Sequence, residues 1–140
     1  MATIKLQDVL GYVPLFRGLK KRQLRHLAGL FDVEDYMADA AIVREGTDGD
    51  AFYVVISGQA KVTKNRRFLA RLMPGDHFGE IAAIDGGERS ATVTSETPMR
   101  LAVMTRKALL KAIKDDPELA HHLMAELAGM FRRASKDAYE

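Results

Sequence analysis

Residues 74–91 read Pro74-Gly75-Asp76-His77-Phe78-Gly79-Glu80-Ile81-Ala82-Ala83-Ile84-Asp85-Gly86-Gly87-Glu88-Arg89-Ser90-Ala91. The stretch sits in a region of short apolar, β-branched runs separated by turn residues, and it interrupts that pattern. A short helical piece follows Gly79, a Gly86-Gly87 turn follows the helix, and a strand resumes after it.

On the N-terminal side, Ala51-Phe52-Tyr53-Val54-Val55-Ile56 reads as a buried strand, Ser57-Gly58 turns the chain, and Ala60 and Val62 alternate with polar residues as in a half-exposed strand. Gly46, Gly49-Asp50, Asn65 and Pro74-Gly75 supply further turns. Thr92-Val93-Thr94 and Leu101-Ala102-Val103-Met104 supply the last strands. Turns about ten residues apart indicate a sandwich or barrel over residues 32–104.

Helices flank this region. In residues 1–31, Leu19, Leu24, Leu27, Leu30 and Phe31 recur at helical spacing, and Pro14 and Gly18 divide a short helix from a longer one. From residue 105 onward Thr105 can cap a helix ending near Lys114. Asp116-Pro117-Glu118 starts another, with a cap residue, a proline in the first turn and a carboxylate at the positive helix end. Leu119, Leu123, Leu127, Met130 and Phe131 give that helix an apolar stripe. The expected fold is α+β, mainly β: a β-roll or jelly-roll barrel between N-terminal and C-terminal helices, making one domain over 1–140.

The composition sets limits. The 140 residues are 47% hydrophobic and 29% charged, enough for one core without a metal or disulfide staple. With no cysteine, disulfides, thiolate nucleophiles, cysteine-held zinc and iron–sulfur clusters are excluded. Lys plus Arg is 21 against 19 for Asp plus Glu, a balance that gives no charge signature of nucleic-acid binding. No apolar run approaches the roughly 20 residues that span a bilayer. These features lead to the expectation of a soluble cytoplasmic domain with neither membrane nor direct nucleic-acid contact.

The chemistry concentrates in residues 78–91. A helix that starts after Gly79 offers unpaired N–H groups to an anion, and Gly79 lets a ligand approach the backbone. Arg89 can fold back to give a phosphate a bidentate contact, and Ser90 adds a hydroxyl and an N–H. Glu80 is the misfit, because a carboxylate repels a plain phosphate. It makes sense if the ligand carries a hydroxyl beside its phosphate, as a ribose with a free 2′-OH and a phosphate closed onto the same sugar does. In an empty pocket Arg89 could pair with Glu80. As an isolated pair, Glu80 and Arg89 would read as a surface ion pair of little consequence.

Phe78-Gly79-Glu80-Ile81-Ala82-Ala83, eight residues between Glu80 and Arg89, and Arg89-Ser90-Ala91 together resemble the phosphate-binding cassette of the cyclic-nucleotide-binding domain family. That family includes catabolite activator proteins and the regulatory subunits of cAMP-dependent protein kinase. Glu45-Gly46, Gly49-Asp50, Tyr53 to Gly58 and Pro74-Gly75-Asp76 resemble its barrel turns, so the likeness extends over about residues 8–134. The resemblance implies that Gly79, Glu80, Ile81, Ala82, Arg89, Ser90 and Ala91 bind the ligand. Glu80 would accept the ribose 2′-OH with help from the Gly79 N–H. The Ala82 N–H and Arg89 would hold the cyclic phosphate, assisted by Ser90.

In the same way the resemblance implies that the last helix closes over the base, with Arg132, Arg133 and Tyr139 as candidates to touch it. Ser90, where cGMP binders of the family often carry threonine, favours cAMP over cGMP. The implied function is a non-catalytic cyclic-nucleotide sensor with no cofactor besides its ligand. Occupancy would pass through the C-terminal helices to a downstream protein that the sequence does not name. A homodimer through the last helix is a further implication.

The alternatives are a fragment of a cAMP-responsive transcription regulator lacking its DNA-binding domain, since no room for one remains before Glu140, and a degenerate protein-interaction module. An enzyme on a related barrel would need clustered metal ligands, and His26, His77, His121 and His122 form no such set. His77 reads as an exposed loop histidine.

Overall fold

The structure is a computed structural model that describes residues 5–139, with side chains described over residues 5–136. The chain opens with helix α1 (Leu6–Gly11), a 3-10 turn at Pro14–Phe16 and helix α2 (Lys21–Ala28). Eight strands follow: β1 (Asp32–Tyr36), β2 (Ala41–Val43), β3 (Ala51–Ser57), β4 (Ala60–Lys64), β5 (Arg67–Leu72), β6 (His77–Phe78), β7 (Thr92–Ser95) and β8 (Met99–Thr105). Helix α3 (Glu80–Asp85) lies between β6 and β7, while α4 (Arg106–Asp115) and α5 (Pro117–Tyr139) close the chain.

The strands pair antiparallel into two four-stranded sheets, ordered β1-β8-β3-β6 and β2-β7-β4-β5. This is the jelly-roll arrangement; the sheets stay distinct and no continuous barrel closes among the described residues. The period-2 alternation of a strand explains why the central strands of the first sheet are so apolar. On β3, Phe52 and Val54 belong to a core shared with the helices, while Ala51, Tyr53 and Val55 belong to a second core between the sheets. On β8, Ala102 and Met104 face the first core and Met99, Leu101 and Val103 the second.

Aromatic rings consolidate the helical side. The Phe16 ring meets Phe52 edge-on at 5.7 Å, and Phe31 lies 6.0 Å from Phe52. The helix boundaries follow their capping chemistry. Thr105 accepts a hydrogen bond from the Ala108 N–H at the start of α4, and Asp116 accepts one from the Leu119 N–H at the start of α5. Asp116 also receives the Gln23 side-chain N–H at 3.2 Å, which ties α2 to the α4–α5 junction.

The last helix departs from expectation. Leu119 and Leu123 of α5 are buried in the helix-side core, and α5 packs on the 3-10 turn and on α4. Leu127 and Met130 pack partly against that core, while Phe131 at the end of the stripe stays exposed. Arg132 and Arg133 are exposed, and the side chain of Tyr139 lies outside the described residues.

Candidate functional site

A cleft of about 370 Å³ opens beside α3. Gly79, Glu80, Ile81, Ala82, Arg89, Ser90 and Ala91 all line it, together with His77, Phe78 and Glu88. Its opposite wall is apolar and comes from the second sheet: Val43, Val62, Leu72 and Val93. Those four sit on β2, β4, β5 and β7, so each strand of that sheet contributes one side chain. Among the described residues, none of α5 lines the cleft. Arg132 and Arg133, expected near a bound base, are not there.

The local backbone explains how the polar groups converge. Gly79 caps α3 with φ +85°, a left-handed conformation that disfavours side chains. A Cβ at Gly79 would also lie 2.5 Å from Arg89 Nη1 and 2.8 Å from the Ala51 carbonyl. The first N–H groups of α3 have no intrahelical partner, since the helical ladder begins at the Ala83 N–H on the Gly79 carbonyl. Gly86 ends the helix with φ +72°, and its N–H bonds the Ala82 carbonyl.

Arg89 is 7% exposed. Its Nη2 donates to the Ala51 carbonyl at 2.9 Å and its Nη1 to the Gly79 carbonyl at 3.3 Å. The guanidinium carbon lies 5.8 Å from the centroid of Tyr53, whose ring stacks on Phe78 at 4.8 Å. The backbone of Arg89 is held from the β2–β3 loop: its N–H donates to the Thr47 carbonyl, and its carbonyl accepts from the Gly46 N–H. Gly49 closes this arrangement, for a Cβ there would sit 2.4 Å from Ala82 Cβ and 2.6 Å from Arg89 Nε.

Glu80 does not pair with Arg89, contrary to expectation for an empty site. Its Oε2 lies 3.3 Å from His77 Nδ1 instead. Arg89 donates to two main-chain carbonyls. Nor is His77 an exposed loop residue: it lies on β6, paired with Val54, and its side chain is only 10% exposed. Burial pushes the Glu80 carboxyl up, but the His77 hydrogen bond and charge, its own backbone N–H and the more distant Arg89 outweigh it. The carboxyl ends below its ordinary value, so it is an ionised acceptor near neutral pH. Burial also raises the Tyr53 hydroxyl, partly opposed by the Arg89 charge.

Ser90 and Ile81 are exposed at the lip of the cleft, Ala82 is buried and Ala91 is half-buried. The arrangement offers a buried cation, an ionised carboxylate, N–H groups of the first turn of α3 beyond Glu80, and an apolar wall. That set suits a compact anion bearing a nearby hydroxyl and a flat apolar body. Among the described residues no group of three or more His, Cys, Asp or Glu is placed to hold a metal ion. None of the described helices is long and apolar enough to cross a membrane.

Comparisons with known proteins identify the family. The family model described as "Cyclic nucleotide-binding domain" matches residues 33–116. The "CRP-like cAMP-activated global transcriptional regulator" of Mycobacterium tuberculosis is 30% identical over 137 residues, covering 94% of this chain and 61% of that protein. The crystal structure of the Thermus thermophilus catabolite activator protein superposes with a TM-score of 0.80 at 33% identity, covering 89% of this chain and 61% of the other. The regulatory domain of Toxoplasma gondii PKA, crystallised with cAMP, superposes with a TM-score of 0.73 at 30% identity, covering 79% of this chain and 44% of the other. The chain thus spans about three fifths or less of the length of these relatives.

Proposed function

Because this chain belongs to the cyclic nucleotide-binding domain family, we propose that it is a sensor that binds cAMP in the cleft beside α3, in preference to cGMP. The observation that carries the reading is the separation of the two charged groups. Arg89 is buried on main-chain carbonyls and Glu80 is held by His77, so neither neutralises the other. A cyclic phosphate would meet Arg89 and the N–H groups of α3, with Ser90 at its edge. The ribose 2′-OH would donate to Glu80 beside Gly79. Ile81, Ala82 and Ala91 shape the contact surface, and the apolar wall receives the sugar and base. The preference for cAMP rests on Ser90 in place of threonine.

The energies are of the right order. A charge-assisted hydrogen bond is worth about 1.5–3 kcal/mol net, and a micromolar dissociation constant needs about 8 kcal/mol. Two such bonds and an apolar cover suffice.

The chain is a binding module rather than an enzyme, with the nucleotide as ligand and no metal or other cofactor. Its output would run through the C-terminal helices. Arg106 at the start of α4 donates from Nη2 to the Ile84 carbonyl at 3.4 Å and lies against Gly86. A shift of α3 on ligand binding would therefore reach α4, and through it α5. On α5, Met124 is 62% and Phe131 73% exposed, an apolar surface that suits a second copy or a downstream protein.

Calorimetry on nucleotide-stripped protein tests the reading. One-to-one binding, tighter for cAMP than for cGMP, is expected, and Arg89→Ala should weaken it about ten- to a hundred-fold. Folded protein that gives no heat with either nucleotide, or an Arg89→Ala variant with unchanged affinity, would overturn it.

A further inference from the structure

Glu80 is the first residue of a six-residue helix, behind a left-handed glycine, with a flexible side chain that is 20% exposed. Its own backbone N–H engages the carboxylate, and a neighbouring charged side chain sets the rest of its orientation. The charge that a free Glu80 would seek is Arg89, on the same cleft. A Glu80–Arg89 contact would occupy both groups proposed to meet the ligand, and a nucleotide would have to break it before binding.

His77 prevents this. Its Nδ1 lies 3.3 Å from Glu80 Oε2, three residues back along the chain. The ring cannot easily leave: it is 10% exposed, its backbone is paired with Val54 of β3, and it packs 5.7 Å from the Phe52 ring in the helix-side core. A side chain locked by the core thus fixes the rotamer of a side chain in the cleft. We infer that His77 is a positioning residue, whose Nδ1 holds the Glu80 carboxylate toward the ribose 2′-OH and away from Arg89. It acts on the sugar contact alone, because Arg89 is anchored independently by the Ala51 and Gly79 carbonyls. The inference rests on the proposed cAMP reading and makes it specific: this chain's selectivity for a free 2′-hydroxyl depends on residue 77.

The test compares cAMP with 2′-deoxy-cAMP, which lacks the group that Glu80 would accept. Both are titrated by calorimetry into nucleotide-stripped wild type, His77→Phe and His77→Asn. Phenylalanine keeps the aromatic contact with Phe52 but has no N–H, whereas asparagine places an amide N–H near the position of Nδ1. Wild type should prefer cAMP by about a hundred-fold, the scale for losing a hydrogen bond to a buried charge. His77→Phe should cut that preference about tenfold by weakening cAMP, with 2′-deoxy-cAMP affinity changed less than twofold. His77→Asn should recover most of the preference.

Equal weakening of both nucleotides by His77→Phe would mean that His77 only supports the fold, and an unchanged preference would mean that it does nothing for Glu80. Either result overturns the inference while leaving cAMP binding in place. Wild type that binds both nucleotides equally would remove the role of Glu80, and the inference with it. Wild type that binds neither would overturn the proposed function itself. Should His77→Phe fail to fold by thermal melting, His77→Leu replaces it as the variant without a donor, with the same expected and overturning outcomes.

Discussion

The two sheets of this molecule are built to different standards. In the sheet β1-β8-β3-β6, the central strands are buried on both faces: β3 is buried from Ala51 through Val55 and β8 from Leu101 through Met104. In the sheet β2-β7-β4-β5, burial alternates on β7, and β5 is exposed along most of its length. The cleft lies between them and divides its labour in the same way. Its charged groups hang from the doubly covered sheet, Arg89 through the Ala51 carbonyl of β3 and Glu80 through His77 of β6. Its apolar wall comes from the singly covered sheet. Hydrogen-bonding groups lose their value when displaced by a fraction of an ångström, and dispersion contacts are more forgiving. Directional chemistry is thus mounted on the sheet whose central strands are buried on both faces.

The comparison is open to mutation. Phe52 is 1% exposed and touches Phe16, Phe31 and His77. Phe52→Ala should cost about 3–5 kcal/mol in denaturant unfolding. A loss below about 1 kcal/mol would mean that the double cover of the first sheet is not what holds the fold. Next in size comes Gly49→Ala. Its added methyl would press on Ala82 and the Arg89 guanidinium, both on the charged side of the cleft. We expect about 1–3 kcal/mol of destabilisation and a loss of cAMP affinity of about tenfold or more. Unaltered affinity would show that the β2–β3 loop does not position Arg89.

Much of this was legible in the sequence, for local reasons. The switch from helical to strand periodicity marked residue 32, and Thr105 and Asp116-Pro117-Glu118 marked the two helix starts that capping produces. The set from Gly79 to Ala91 was recognisable because its spacing is contiguous. What escaped the sequence is long-range. Gly49 read only as a turn residue, since its contact with Arg89 joins positions forty residues apart in the chain. His77 read as an exposed loop residue because a two-residue edge strand is too short to show alternation. The stripe on α5 read as core cover or a dimer seam; the helical core covers Leu119 and Leu123, while Phe131 stays exposed. The division into two sheets depends on strand pairings between distant segments, which periodicity does not encode.

The smallest effect is expected at the far edge of the second sheet. Leu69 on β5 is 56% exposed, beside Phe68 at 55%. Among the described residues β5 pairs only with β4, so its other side is an open edge. If the singly covered sheet contributes only an apolar wall, a residue on its uncovered part should matter to neither stability nor binding. Leu69→Ser should change unfolding free energy by no more than about 0.5 kcal/mol and cAMP affinity by less than twofold. A loss above about 1 kcal/mol would contradict the asymmetry between the sheets, because an exposed side chain has little burial to lose. If that loss grew with protein concentration, the cover would be a second copy of the chain, and the two sheets would differ only in whether their second cover is intramolecular or supplied by assembly.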